Sequence, residues 1–266
     1  SRKKTLLYSR KTTLEILKDD LLEKTNEVEE IPESYYDKIS PVIDAVKAFA
    51  RSSNQCLYVI DYARKGFLYV SPNLQQMCGM CAEEMMELGY GFQAKYAPYE
   101  DQKMLVELNK SGFDFFENIP VNQRDGYSIS YDFRLQNGER EQMIHHTLTH
   151  LVTTKKGRVW IALCTMSPSS AQKPGNIIMR KEGSRTVHEY DLASREWIER
   201  KLPKPLNPIE HLILTMSMQG YTMEEISTVK QISINTLKSS KRILFDKLNV
   251  KSIAEAITFC INYKLL

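Results

Sequence analysis

A chain of 266 residues, 42% hydrophobic and 26% charged with a formal net charge of +3, has room for two ordinary folded domains. That balance excludes a disordered polyelectrolyte and a chain that binds polyanions along its whole length. No apolar run approaches the about 18 residues of a membrane span, and five cysteines without regular spacing exclude a disulfide framework.

The basic start, SRKKTLLYSRKTT, has no long apolar core and no cleavage site. It does not read as a signal peptide, and the expected location is the cytoplasm. Residues 4–28 predict a polar helix, with Leu6, Leu7, Leu14, Leu17, Leu21 and Leu22 near helical spacing. Pro32 and Pro41 interrupt the next stretch of chain, and a second helix is expected to run to about Ala50. CLYVID from Cys56 and GFLYVS from Gly66 are short apolar runs joined by YARK, a hairpin pattern. Short helices are expected over 73–78 and 82–88, and another from Asp101 to Lys110. In SISYDFRLQ, Ile129, Tyr131, Phe133 and Leu135 alternate with Ser130, Asp132 and Arg134, a strand with one buried face. Asn137-Gly138 marks a tight turn, and strands to about Val152 and over VWIALCTMS come after it. The order fits one antiparallel sheet with helices on one face. PSSAQKPG is a linker by composition. IIMRK, RTVHEYD and REWIERK then form a three-stranded meander, too small to stand alone. KLPKPL is a second linker.

The last sixty residues carry the sharpest local signals. Asn207-Pro208-Ile209-Glu210 is a helix start, with a capping Asn and Pro at the first helical position. Gly220 can end that helix. Thr222 with Glu225, and Ser252 with Glu255, have capping-box spacing, and Ser233 can cap a helix reaching Leu248. On that third helix Leu237, Leu244 and Leu248, flanked by Phe245, form the buried stripe. Ile234, Asn235, Lys238, Ser239 and Arg242 fall on the other side. The stretch 233–248 holds Lys238, Lys241, Arg242 and Lys247 against the single acid Asp246, so positive charge gathers where a groove-reading helix needs it. With Thr236 and Lys241, the outward residues are the candidate DNA contacts.

The whole segment resembles the LuxR-type helix-turn-helix domain. The matching positions are Pro208, Glu210, Leu214, Gly220, Glu225, Ile226, Ile232, Ser233, Thr236, Lys238, Leu248, Val250, Ser252, Ala254 and Glu255. The resemblance implies that the helix bearing Thr236 and Lys238 reads DNA and that the last helix makes a dimer contact, where Ile253, Ile257 and Ile261 form an apolar stripe. Three departures stand out: Glu224 where a basic residue is common, Ser239-Ser240 for an Asn-His pair, and Lys241 for an apolar residue. They block any transfer of DNA sequence preference.

Residues 51–170 resemble a PAS domain, on YVIDYARKGFLYVSPNLQQMCGMCAEEMMELG, APYEDQKML and the three closing strands. This implies a five-stranded sheet cupping a small-molecule pocket or a dimer surface. The cysteine motif of flavin-photoreactive relatives is absent, and no histidine stands in the helix from Asp101 where some relatives bind haem. Cys78 and Cys81 have redox or half-zinc spacing, but no second pair completes a zinc site. His146 and His150 share parity with Ile144, Leu148 and Val152 on the penultimate strand and are the candidate ligand-lining residues. No nucleotide-binding loop, nucleophile elbow or zinc-protease motif is found, so neither catalytic residues, cofactor nor metal are expected.

The expected fold class is α+β: a PAS-like antiparallel five-stranded sheet with helices, a small β-meander, and an all-α four-helix LuxR-type domain. The expected division is N-terminal helices over 1–50, the sensor over 51–170, meander and linkers over 171–203 and the DNA-binding domain over 204–266. The expected function is a transcription regulator that binds double-stranded DNA as a homodimer, controlled by a small molecule or a partner protein at the PAS-like domain. The alternatives are a sensor region that only mediates protein interaction, or a thiol redox sensor using Cys78 and Cys81.

Overall fold

The computed structural model of the protein describes residues 26–53 and 55–266. Two compact units are present, one ending at Arg200 and the other spanning Lys201–Leu266. The expected helix over 4–28 lies almost entirely outside the described residues.

In the first unit, α1 (Glu33–Ser53) is one helix with Pro41 inside it. An interior proline removes a backbone bond and costs about 3 kcal/mol. The helix persists because Ile39 before the proline and Ile43, Val46 and Ala50 after it form one buried face. That face packs on Leu57, Val59, Trp160 and Ile161. β1 (Cys56–Asp61) and β2 (Gly66–Val70) form the expected hairpin. The buried Asp61 fixes its turn: Oδ1 accepts from the backbone N–H of Ala63 and Arg64 at 2.9 and 3.1 Å, and Oδ2 accepts from Tyr36 Oη at 2.7 Å.

Three short helices come next, α2 (Leu74–Cys78), α3 (Ala82–Leu88) and α4 (Gly91–Tyr96). The helix expected to stop at Lys110 runs on: α5 spans Tyr99–Glu117. It continues through Ser111 and Gly112, and Gly112 lies against the sheet. A Cβ there would sit 3.2 Å from Ile129 Cδ1, so the glycine admits close packing rather than ending the helix.

The remaining strands are β3 (Tyr127–Asn137), β4 (Arg140–Thr153), β5 (Val159–Pro168), β6 (Gly175–Lys181), β7 (Thr186–Asp191) and β8 (Glu196–Lys201). Among the described residues they form one sheet in the order β2-β1-β5-β4-β3-β6-β7-β8. The first five strands and the helices between β2 and β3 make the PAS-like part. The meander does not stand apart from it: β6 pairs antiparallel with β3, Ile129 opposite Met179, and lengthens the sheet to eight strands. Its far end folds over α5, where Tyr190 Oη donates to Glu107 Oε1 at 2.9 Å and Trp197 Nε1 donates to the Ser111 carbonyl at 3.2 Å.

Two further expectations need correction. Helices cover both faces of the sheet, because α1 packs behind β1 and β5 while the main core joins the inner face to α2–α5. Asp132, on the polar side of the β3 alternation, is only 1% exposed. It accepts from His145 Nδ1 and Asn176 Nδ2, each at 2.9 Å, and so ties β3 to β4 and to the start of β6.

The second unit holds α6 (Pro208–Met218), α7 (Met223–Lys230), α8 (Ile234–Leu248) and α9 (Ile253–Asn262). Asn207 with Glu210 and Thr222 with Glu225 close complete capping boxes. Ser252 accepts from the Glu255 N–H, while the Glu255 carboxylate turns to the Lys251 N–H instead of closing the box. Gly220 adopts φ 90° after α6. The buried residues Ile213, Leu214, Ile226, Leu237, Leu244 and Ala256, drawn from all four helices, make the small shared core, with Ile253 touching both of its halves.

Replacing Asp132 with Ala removes the buried acceptor shared by the half-buried His145 and the exposed Asn176, and the expected loss of unfolding free energy is about 1–3 kcal/mol. Asp132→Asn keeps one acceptor and should lose less. Urea titrations of the three proteins check the order; equal stabilities would remove Asp132 as a tie between the strands.

Candidate functional site

α7 and α8 are joined by residues 231–233. Gln231 adopts φ 53°, and Ser227 Oγ donates to the Ile232 carbonyl at 2.6 Å, which locks the turn. This sets α8 with Leu237, Leu244 and Leu248 inward. Asn235, Thr236, Lys238, Ser239 and Arg242 are exposed, and Ile234 and Lys241 are half-buried. Lys241 Nζ lies 5.4 Å from the centroid of Phe245, so its stem covers that ring. Ser233 takes the N-cap position of α8 without a side-chain hydrogen bond to the helix, so its expected capping bond is not formed.

The basic residues of this stretch do different things. Lys247 is largely buried, and its Nζ donates to Glu210 Oε2 at 2.7 Å and to the Pro205 carbonyl at 3.0 Å. Glu210 is only 2% exposed and also accepts from the Asn207 N–H. This charge holds the helices together and is not on the outward face. Lys238 is exposed and stands 3.5 Å from Glu224 on α7. Such a surface pair is weak, about 0–1 kcal/mol, and leaves the lysine available to a stronger anion.

The first unit contains a cavity of about 80 Å³ between α5 and the inner face of the sheet. His146 and His150 both line it, together with Tyr58, Tyr62, Tyr90 and Tyr131. Ile60, Leu105, Leu108, Phe113, Ile129 and Met179 supply apolar wall. None of the described residues that line it is Asp, Glu, Lys or Arg. His146 is 1% exposed, and its Nε2 lies 2.7 Å from Tyr58 Oη. Burial chiefly, helped by the neighbouring His145, pushes the His146 ring down to about 3, so it is neutral at ordinary pH. His150 is lowered too, by burial, against the pull of Asp125.

The tyrosines were missed at sequence level although one signal was present: Tyr58, Ile60 and Tyr62 share parity in a run that reads as uniformly buried. The expected parity of β4 holds for Ile144, His146, Leu148 and His150 but not for Val152. A bulge between His150 and Val152 turns Val152 to the opposite face, beneath α1. Cys78 and Cys81 are free thiols. Cys78 Sγ donates to the Leu74 carbonyl at 3.4 Å, and Cys81 Sγ accepts the Glu84 N–H at the start of α3. Burial raises the Cys78 thiol, which lowers the thiolate fraction that redox chemistry requires.

Residues 204–260 match the family described as GerE, bacterial regulatory proteins, luxR family. The C-terminal unit is a LuxR-type helix-turn-helix domain. No curated protein sequence gives a significant match. Among solved structures, the N-terminal domain of a diguanylate cyclase with a PAS/PAC sensor from Marinobacter aquaeolei is 17% identical. It covers 43% of this chain and 94% of its own, with a TM-score of 0.33. A VqmA dimer from Vibrio cholerae, solved without its target DNA, is 14% identical over 85% of this chain and 88% of its own, with a TM-score of 0.32. A phage VqmA–DPO complex is also 14% identical, over 85% and 90%, with a TM-score of 0.32. No helix among the described residues is long and apolar enough to cross a membrane.

Lys247→Met leaves Glu210 buried without its counter-charge and should destabilise the second unit by about 2–4 kcal/mol. Lys238→Ala should change stability by less than about 0.5 kcal/mol. Loss of helical circular dichroism on heating the full chain compares them; equal melting of both variants would contradict the division of labour.

His146 carries a base whose folded pKa lies below its ordinary 6.5. The stability it permits is complete above pH 6.5 and falls as pH drops toward 3, by at most about 1.4 kcal/mol per pH unit for one proton. Its ring resonances should therefore stay unshifted from pH 8 to pH 5. A midpoint within that range would show the ring to be wet.

Proposed function

We propose that the chain is a one-component transcription regulator. In this reading α8 enters the major groove of duplex DNA, and a signal received in the PAS-like unit controls that step. The observation that carries the DNA-binding half is the clean division of α8. Its leucine stripe is buried in the four-helix core, while Asn235, Thr236, Lys238, Ser239 and Arg242 are exposed together. An α-helix fits the major groove, where Arg can fork onto guanine, Asn onto adenine, and Lys can meet a phosphate. Ile234 and Lys241 flank this face. The cavity with His146 and His150 supports a small-molecule signal over a partner protein, because a filled core would leave no space there. Nothing in the reading requires catalysis, and it places the protein in the cytoplasm with its DNA.

The proposed division of labour is an N-terminal helical segment over 1–50, the sensor over 51–170, a connecting meander over 171–203 and the DNA-binding domain over 204–266. α1 crosses the first of these boundaries, and β6 shares the sensor's sheet. We further propose a homodimer on DNA through α9. Ile261 is 53% exposed, Ile257 is half-buried, and the stacked Phe259 and Tyr263 rings lie on the same helix end. Two copies would read two half-sites about one helical turn apart.

Fluorescence titration of duplex DNA tests the reading helix. Lys238→Ala should weaken all duplexes alike and make the salt slope shallower by about one unit if it meets phosphate. Arg242→Ala should cost about 1–3 kcal/mol and relax preference at one base pair if it forks onto a base. Titrations of a folded Lys238→Ala/Arg242→Ala protein that overlay the wild type at every salt concentration would sink this assignment.

A further inference from the structure

Two buried polar atoms on residues that line the cavity have no hydrogen-bond partner among the described residues: Tyr90 Oη and His146 Nδ1. Both residues are more than nine-tenths buried. Such groups are rarely left orphaned, since each costs about 1–3 kcal/mol. Tyr62 Oη approaches Tyr90 closely enough to raise its pKa further, yet it forms no hydrogen bond of acceptable geometry with it. The Nε2 side of His146 is engaged by Tyr58, so Nδ1 is the atom left over.

The rest of the lining narrows what would meet these atoms. Among the described residues, no carboxylate, ammonium or guanidinium belongs to it. A buried ion without a counter-charge is strongly disfavoured, so a charged guest would be rejected. The volume also sets a limit. A dry cavity of about 150 Å³ holds benzene, and this one has about half that space.

We propose that the cavity binds a small uncharged molecule of a few heavy atoms that hydrogen-bonds Tyr90 Oη and His146 Nδ1 and lays an apolar part against Leu105, Leu108 and Ile129. This rests on reading the cavity as the sensor's input site. Neutral polar metabolites of amide, lactam, alcohol or ketone type meet the description. Carboxylates, phosphates and amines do not.

Propionamide and propionate separate the classes, being close in size and different in charge. Each is titrated into the full chain, labelled with ¹⁵N in the histidine rings and backbone amides. Propionamide should give saturable shifts at the cavity residues, with His146 Nδ1 among the largest. Propionate should bind at least about ten-fold more weakly, since desolvating the carboxylate costs more than about 1.4 kcal/mol. Tyr90→Phe removes only the orphaned hydroxyl, so it should fold, and it should weaken propionamide about five-fold, the worth of one hydrogen bond. Propionate binding as tightly as propionamide would overturn the proposal. So would propionamide binding unchanged in Tyr90→Phe, or no saturable shift at tens of millimolar, which marks a cavity holding only water. DNA affinity is measured separately with and without propionamide. Cavity binding with unchanged DNA affinity would overturn signal control by this site while leaving the ligand chemistry in place.

Discussion

Strand β3 has hydrogen-bonding neighbours on both sides, β4 and β6, and the layout of the first unit depends on that. A PAS-like sheet that ended at β3 would leave an open edge there. Here β6 occupies it, so the sheet continues under α5 and the meander can fold back over that helix. Phe115, Tyr190 and Trp197 meet on its far side, with ring centroids 5.1 Å apart from Trp197 to each of the other two. α5 is thereby held between strands and meander, and Gly112 lets it sit close to Ile129. The cavity is the space that this arrangement does not fill. Asp132 marks the same junction from the other face, gripping one side chain from β4 and one from β6.

How much of this could be read in advance depended on how local each signal was. Capping boxes span four residues, so Asn207/Glu210 and Thr222/Glu225 were legible without any tertiary knowledge, and so was the leucine stripe of α8. The alternation in β3 placed Tyr131, Phe133 and Leu135 correctly. The same alternation misplaced Asp132, because it equates the polar side with water, whereas His145 and Asn176 stand there. The length of α5 and the integrity of α1 were hidden for a related reason. Gly112 and Pro41 are breakers in isolation, and only packing against the sheet overrides them. The bulge after His150 leaves no sequence mark, and it alone moves Val152 to the other face. Tyr90 was missed at the cavity because the short helices after β2 carry too few residues to show a period.

The charges of the second unit show why a count of basic residues is a poor guide to a DNA-binding face. Four of them crowd the α8 stretch, but Lys247 is locked on Glu210 and Lys241 lies along Phe245. A buried ion pair of this kind adds little net stability over an apolar pair. It does fix where the chain before α6 meets the end of α8, since Lys247 also holds the Pro205 carbonyl. What remains outward is Lys238 and Arg242, with Glu224 beside the first of them. If Lys238 meets a phosphate as proposed, the Glu224 carboxylate beside it would weaken attraction to every duplex alike. Under that reading it would raise the relative weight of any base contacts made by Asn235 and Arg242.

Under the proposed reading, the signal has a short route out of the cavity. The lining draws on α5, β3, β4 and, through Met179, on β6. A guest that fills the space therefore touches the first strand of the meander directly, and the chain leads from β6 through β7 and β8 to the linker at Lys201. A difference of about 1–3 kcal/mol in guest affinity between two arrangements of that strand is enough for a useful switch. An apolar, closely packed α5–sheet contact is suited to this, because packed interfaces shift between discrete arrangements instead of deforming smoothly. The bulge between Ser130 and Asp132 is where β6 loses register with β3. Pairing resumes at Asp132 opposite Gly175, and the Asn176–Asp132 hydrogen bond adds a side-chain tie at that point.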